Sequence, residues 1–464
     1  MRRMRMMIKT IQAVLQNQRA FFYSQQTKEL SFRLEQLEKL RLAILSYETE
    51  IIEALQQDLG KHPLETYATE IGFVLNSIRT TQKSLKKWMK EEKKPTPLFL
   101  LPSKSRVISE PYGVAFIIGP FNYPFQLLIE PLVGAIAAGN TAILKPSELV
   151  PTFSQVIEKM IHHLFPSSYV DIFLGEKEIT IELLAQPFDY IFFTGSTTVG
   201  KSVMKAASNH LTPVTLELGG KSPTIVTEKA DVSLAARRII YGKMMNAGQT
   251  CVAPDYVVVH ESVKNQFIHE CQKTVTRFYG RNIKQSKSFS RIVNERHTNR
   301  LIRLMEESKA DLISGGMYDV NSCYIEPTLY DSTWESPLMT DEIFGPLLPI
   351  ISYQSLDDVI HQITTRPKPL ALYLFSQDKK EQEKIVSHTS SGGVSINNTI
   401  FHLVSGHLPF GGVGESGIGN YHGKYSFDTF SHKRAILSSP KIDTPFIYPP
   451  YTTNHLKWIK RVLK

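Results

Sequence analysis

A chain of 464 residues, 42% hydrophobic and 21% charged, is too long for one compact core and too apolar for a disordered one, so two or three packed domains are expected. Its three cysteines show no close pairing, which excludes a disulfide framework and a cysteine zinc site and points to a reducing cytoplasm; no apolar run reaches the ~20 residues of a membrane-spanning helix. The formal charge of +9 sits mostly at the two ends, on Arg2, Arg3, Arg5 and Lys9 and on Lys441, Lys457, Lys460, Arg461 and Lys464, so the body of the chain offers no basic stripe to nucleic acid.

The basic start, M-R-R-M-R-M-M-I-K, soon gives way to polar residues and reads as a ragged terminus rather than a secretion signal. Apolar recurrence then predicts helices over 11–25, 31–57 and 64–89, an all-helical cover for a sheet. The prolines of 91–97 end that pattern, and 98–111 reads as two short extended pieces around Pro102, a ribbon with a pairing edge for another subunit. From Tyr112 the rhythm is strand then helix. Strands are expected at 113–118, 141–144, 170–173, 190–193 and 214–218, with helices at 125–138, 151–164 and 201–210. Such alternation predicts a parallel sheet covered on both faces, with ligands beyond the carboxyl ends of its strands. A second α/β rhythm runs from about Pro223 to Leu408; within it a helix starts at Asp231 and stops near Asn246 and Gly248, and a strand follows at 256–260. Residues 426–437 read as a strand free to pair with the 98–111 ribbon. The terminal H-L-K-W-I-K-R-V-L-K reads as a frayed end or as a short amphipathic helix for an anionic membrane surface.

Chemistry concentrates at a few points. Cys251 lies in M-M-N-A-G-Q-T-C-V (244–252), in the loop between the 231 helix and the 256–260 strand, where a side chain is both held and reached. The adjoining helix carboxyl end disfavours a thiolate, so activation has to come from elsewhere, and by itself the stretch fits a buried packing cysteine equally well. G-S-T-T-V-G-K-S (195–202) satisfies the phosphate-loop string G-x-x-x-x-G-K-[ST], which makes a P-loop NTPase the rival reading. Its interior lacks the glycine that turns N–H groups inward, and no magnesium-binding Asp strand follows. Gly195 and Ser196 still stand at a helix N-terminus suited to a dinucleotide pyrophosphate. Lys145 and Glu148, at the end of the 141–144 strand, suit ribose hydroxyls, and a carboxylate there repels a 2′-phosphate, which tilts the choice to NAD with NADP as the alternative; a surface turn explains the pair as simply. Glu217 is a carboxylate in an apolar strand, either a general base of raised pKa or a partnered strand residue. Asn122, in G-P-F-N-Y-P, either donates to a developing oxyanion or forms a turn between prolines. The histidines share no ligand spacing with a Cys or Asp, so no metal is expected; Cys271 falls on an amphipathic core face and Cys323 in a loop.

Seven segments taken together resemble the aldehyde dehydrogenase superfamily: I-G-P-F-N-Y-P (118–124), A-A-G-N-T-A-I-L-K-P-S-E (137–148), F-F-T-G-S-T-T-V-G-K (192–201), L-E-L-G-G-K-S-P (216–223), N-A-G-Q-T-C-V-A-P-D-Y (246–256), E-I-F-G-P (342–346) and P-F-G-G-V-G-E-S-G (409–417). They are collinear over nearly the whole chain, and the Q-T-C-V-A-P-D-Y-V form resembles the class 3-like branch of fatty and aromatic aldehyde dehydrogenases. The resemblance implies an α/β fold with a Rossmann-type NAD-binding domain (1–97 and 113–220, with 409–425 returning to it) and an α/β catalytic domain (221–408). A small oligomerisation ribbon (98–112 and 426–440) and a basic tail (441–464) complete it. It further implies that Cys251 is the nucleophile, that Asn122 and the Cys251 N–H stabilise the oxyanion, and that Glu217 activates the hydrolytic water. Lys145 and Glu148 would meet the adenosine ribose, Gly195 and Ser196 the pyrophosphate, and Glu342 and Phe344 the nicotinamide riboside, with Tyr123 and Phe410 at the substrate pocket. The implied enzyme is a homodimer that oxidises a lipophilic (fatty or terpenoid) or aromatic aldehyde with NAD(P); its cytoplasmic location is read from the cysteine usage, and weak peripheral membrane contact from the basic tail, which departs from the longer hydrophobic anchor of some class 3 relatives. A catalytically inactive relative is the remaining alternative.

Overall fold

The computed structural model describes residues 2–441 and 447–463. The runs V-A-F-I-I and Y-I-F-F-T are apolar without alternation, which suits strands covered on both faces, and as Val114–Ile118 and Tyr190–Thr194 they are buried throughout. With Thr141–Lys145, Val170–Ile172 and Val214–Glu217 they form the parallel part of a six-stranded sheet. Val114–Ile118 has Thr141–Lys145 on one side and Tyr190–Thr194 on the other, so the crossover direction reverses there and opens a crevice at the carboxyl ends. Asn122 follows that strand directly. Gly417–Ile418 returns to this sheet as an antiparallel edge and sets Gly417 opposite Glu217.

A seven-stranded sheet is built from residues 223–396 and is parallel except for its edge strand Leu312–Ser314. Tyr256–His260 lies at its centre, so the Cys251 loop leads into the middle of the sheet. A third sheet of three antiparallel strands joins Glu92–Lys94, Lys104–Pro111 and Ser431–Ser438; the last two pair over their whole length, from Ser431 opposite Pro111 to Ser438 opposite Lys104.

Several expected elements change shape under tertiary contact. The helix expected over 31–57 is two helices, Leu30–Ser46 and Glu48–Leu59, which meet at Tyr47 (φ −97°, ψ 5°). The first packs on Gln126–Ala138 and the second on Pro151–Leu164, so the chain must bend although neither Gly nor Pro marks the place. The helix expected over 64–89 is Pro63–Thr66, a π-helical turn at Tyr67–Ile71 and Gly72–Trp88; Gly72 lacks the Cβ that would press against the Tyr67 carbonyl 2.9 Å away. The helix expected from 201 starts at Thr197, because Ser196 caps it. The strand expected at 426–437 begins only at Ser431: Lys424–Thr429 is helical, which drives Phe427 and Phe430 into the core. In the 98–111 ribbon Leu98–Leu100 is a 3-10 turn and Lys104–Pro111 the strand, and Glu92–Lys94 is a strand the sequence did not announce. The N-terminal helix runs Arg2–Tyr23, well before the expected start, so the stretch expected to be ragged is helical from Arg2. The tail forms the exposed helix Thr453–Val462, while 442–446 and 464 lie outside the described residues. Among the described residues no helix is long and apolar enough to cross a membrane.

Candidate active site

Cys251 is placed by a loop that has little freedom. The helix Val232–Met244, capped by Asp231 through its bond from the Leu234 N–H (3.0 Å), delivers the chain into a tight turn in which Asn246 and Ala247 both hold φ +52°. Gly248 (φ +78°) lies so close to the Gly345 carbonyl that a Cβ there has no room. The Gln249 amide donates to the carbonyls of Asn246 (3.0 Å) and Arg291 (2.9 Å) and accepts from the Val293 N–H (2.9 Å). From the other sheet, Asn122 donates to the Gln249 carbonyl (3.0 Å) and the Tyr123 hydroxyl pairs with Thr250 (2.7 Å). Asn122 therefore meets the cysteine loop as expected, whereas Tyr123 is buried with its hydroxyl engaged in holding that loop. The nearest support comes from the N-terminal segment: Glu65, pushed up to about 6 by burial, accepts from the Asn246 N–H (2.9 Å), and Lys61, in the connection between Glu48–Leu59 and Pro63–Thr66, donates to the Asn122 carbonyl (2.9 Å). Neither residue carries a local sequence signal for this role.

Cys251 is partly exposed, yet the groups enclosing its sulfur push the thiol above its ordinary range. Burial is the main cause, and the carboxylates of Glu342 and Glu217 add to it. Opposing them, the N–H groups of Cys251 and Val252 both point at the sulfur and favour a thiolate. The two N–H groups thus supply activation that the helix end does not, whereas the charge of Glu217 works against ionisation.

Glu217 ends the strand Val214–Glu217 and is 2% exposed; neither carboxylate oxygen has a hydrogen-bond partner among the described residues. Burial alone raises its pKa well above the usual carboxylate range. Glu342 arrives from the second sheet. Lys221 donates to Asp255 (2.5 Å) and to the carbonyls of Leu338 (2.7 Å) and Asp341 (2.9 Å), and Asp255 accepts from the Ile343 N–H (3.1 Å). This tether sets the Glu342 carboxylate against Gly219, so close that a Cβ there would displace the carboxylate, with the Gly220 N–H bonded to it. Burial and then Asp255 push Glu342 up to about 8. Phe344, at φ +49°, turns its ring edge-on to Phe121 at 5.8 Å. Phe410 is buried, stacks on His422 at 5.1 Å and exchanges backbone hydrogen bonds with Tyr421. Tyr421 and His422 carry no local sequence signal beyond their closeness to P-F-G-G.

At the crevice of the six-stranded sheet, Lys145 is buried and its ammonium donates to the Pro146 carbonyl (2.7 Å) and Glu148 (3.4 Å), leaving one N–H unspent; burial lowers its pKa. Glu148 is exposed. Ser196, also exposed, caps the twelve-residue helix Thr197–Ser208 by accepting from the Val199 N–H (3.4 Å). Gly195 sits over the Phe193 ring, 2.5 Å from where a Cβ would lie. A buried cation with a spare donor beside an exposed carboxylate, and an open helix N-terminus after Tyr190–Thr194, with Val114–Ile118 lying between the two strands, fit a dinucleotide's ribose and pyrophosphate. The P-loop reading fails on geometry, because Thr197, Thr198 and Val199 form the first helical turn and Gly200, Lys201 and Ser202 continue it, so no loop remains to cradle phosphates.

The profile of the aldehyde dehydrogenase family matches residues 6–436. The chain belongs to this family. It is 54% identical to the 4,4'-diaponeurosporen-aldehyde dehydrogenase of Staphylococcus aureus over 96% of its length and 97% of the relative's. It is 45% identical to the dimeric NADP-preferring aldehyde dehydrogenase of Rattus norvegicus, covering 92% of this chain and 94% of that one. Among solved structures, the substrate-bound state of Staphylococcus aureus AldH superposes with a TM-score of 0.95 at 52% identity, over 98% of this chain and 99% of that chain. As a member of the aldehyde dehydrogenase family, and of its class 3-like branch, the chain has the family's α/β fold and is an oxidoreductase that oxidises an aldehyde with NAD(P).

Proposed function

We propose that Cys251 attacks the aldehyde carbon and that Glu217 activates the water that completes the reaction. Asn122 spends one amide N–H on the Gln249 carbonyl, so the second is free for the oxyanion of the thiohemiacetal, beside the Cys251 N–H. NAD(P)⁺, when bound, supplies the hydride acceptor, with Lys145, Glu148, Gly195 and Ser196 holding its ribose and pyrophosphate and Glu342 and Phe344 the nicotinamide end. Loss of hydride leaves a thioester on Cys251. Glu217 takes a proton from water, the resulting hydroxide adds to the thioester carbon, and the carboxylic acid departs as the thiolate is restored. The observation that carries this reading is the unpartnered, buried Glu217 carboxyl within electrostatic reach of the Cys251 sulfur. Rapid-mixing measurement of NADH is the test: Cys251→Ala should form none, and Glu217→Gln should give a burst followed by slow turnover. A Gln variant with the full steady rate removes Glu217 from this role.

For substrate, the reading is a lipophilic aldehyde, fatty or terpenoid, with aromatic aldehydes as the competing class. Two things support it: the diaponeurosporen-aldehyde of the Staphylococcus relative's name, and the wall of Phe410, His422 and Phe73, the last 5.2 Å from His422. A panel from short aliphatic to long-chain and aromatic aldehydes, each run with NAD and with NADP, decides substrate and cofactor together.

The same reading takes 1–97 and 113–220, with 409–425, as the NAD-binding domain, 221–408 as the catalytic domain, and 98–112 with 426–440 as the ribbon through which a cytoplasmic homodimer forms. The dimeric rat relative supports the last point. The tail 441–464 is assigned weak peripheral contact with anionic membrane, supported by Tyr451, Leu456 and Leu463, each more than half exposed beside Lys457, Lys460 and Arg461. Sedimentation equilibrium and co-sedimentation with anionic vesicles check the two assemblies separately.

A further inference from the structure

A fully buried lysine is costly unless it is paired and hydrogen-bonded, and Lys61 is 0% exposed. Its partner Glu70, equally buried, sits in the π-helical turn Tyr67–Ile71, the kind of irregularity that collects at functional sites. Glu70 reaches in the other direction as well, accepting from the N–H groups of Phe125 (2.9 Å) and Gln126 (3.4 Å) at the start of the helix Gln126–Ala138. Lys61 spends a second N–H on the Asn122 carbonyl (2.9 Å) and lies 4.1 Å from the centre of the Tyr123 ring. The same carbonyl accepts from the Asn246 side chain (2.8 Å), which belongs to the cysteine loop.

These contacts fix one peptide plane from two sides. A carbonyl that accepts from both Lys61 and Asn246 cannot rotate, and the plane of the 122–123 peptide sets the direction in which the Asn122 side chain leaves the backbone. Local chemistry does not require a cation there, since a bound water or a turn N–H would satisfy a carbonyl as well. We propose that Lys61, held by Glu70, is a positioning residue for Asn122, aiming its amide at the carbon-bound oxygen of a substrate on Cys251. The inference rests on the oxyanion role given to Asn122 above and adds to it the device that aims the donor.

The test uses the full-length enzyme and the rate of the NADH burst per active site, with sites counted by burst amplitude. Lys61→Met combined with Glu70→Gln removes the charge pair without stranding either charge. The burst rate per site is expected to fall about ten- to a hundredfold, the cost of a misaimed group near the reacting atoms, with KM for NAD unchanged. In an Asn122→Ala background the same pair of substitutions should lower the burst rate no further, because Lys61 acts through Asn122. A burst rate per site equal to that of the unaltered enzyme, with only a lower Tm, overturns the proposal, as does an effect undiminished in the Asn122→Ala background. If the double variant does not fold, Glu70→Gln carries the test, with a fall of about three- to tenfold expected and none overturning it. Failure of the underlying mechanism looks different: NADH forms with Cys251→Ala, or Asn122→Ala bursts at full rate.

Discussion

In the proposed mechanism Asn122 and Glu217 both serve Cys251, and their surroundings are opposite. Around Asn122 the polar groups are paired several times over: its amide with Gln249, its carbonyl with Lys61 and Asn246, and its neighbour Tyr123 with Thr250. Around Glu217 burial is uncompensated, and among the described residues both carboxylate oxygens are left without a partner. The first environment holds a dipole still, which is what a donor to a transient oxyanion needs. The second destabilises a charge, which is what raises a carboxyl toward the pKa of a useful base. One site thus joins a rigid half, made by hydrogen bonds, to a poised half, made by withholding them.

The contrast can be broken at graded cost. Cys251→Ala removes the group both halves act on, and NADH formation should fall by at least about 10⁴-fold in a steady-state assay with any aldehyde. Glu217→Gln should keep the burst and lower turnover by about 10²–10⁴-fold. Asn122→Ala should instead slow the burst itself, by about 10²–10³-fold, so the two variants separate acylation from hydrolysis. Stability sharpens the same comparison. The folded pKa of Glu217 lies above its unfolded value, so its favourable contribution is complete below the unfolded pKa and is lost as pH rises through the folded one. Melting curves at pH 5 and pH 8 should therefore show Glu217→Gln gaining Tm over the unaltered enzyme as pH rises, by a few degrees at the upper end. The smallest effect belongs to Lys201→Ala: its contact with Glu415 (3.4 Å) is exposed on both sides, and stability should move by less than about 0.5 kcal/mol with the burst intact. A large loss of activity there would revive a phosphate-loop role.

Legibility followed the range over which each signal acts. The strand Tyr256–His260 and the helix Pro151–Leu164 coincide with expectation because β-branched runs and a proline at the first helical position are local instructions. The bend at Tyr47 and the π-helical turn at Tyr67–Ile71 were not legible, since both answer to the helices packed against them and not to residues nearby in sequence. The late start of the strand Ser431–Ser438 has a similar origin, because burying Phe427 and Phe430 requires a helical turn first. Among site residues, Cys251, Glu217 and Asn122 stand in distinctive strings, whereas Lys61, between two helices, and Glu65 and Glu70, on the second of them and its π-helical continuation, sit in ordinary-looking sequence 52 or more positions from Asn122.

By itself the sequence determined the family, because seven collinear strings resemble the aldehyde dehydrogenases, whereas residue type and spacing alone left Cys251, Glu217 and Asn122 each with a packing alternative. Only the tertiary structure decided how that chemistry is held. It tied Asn122 to the cysteine loop through Gln249 and Asn246 and to the N-terminal segment through the buried Lys61, set Glu342 near the thiol through the Lys221–Asp255 tether, and left Glu217 without a partner among the described residues. Hydrogen bonds across such separations, and their absence, depend on which elements pack together, and that is a property of the whole folded chain.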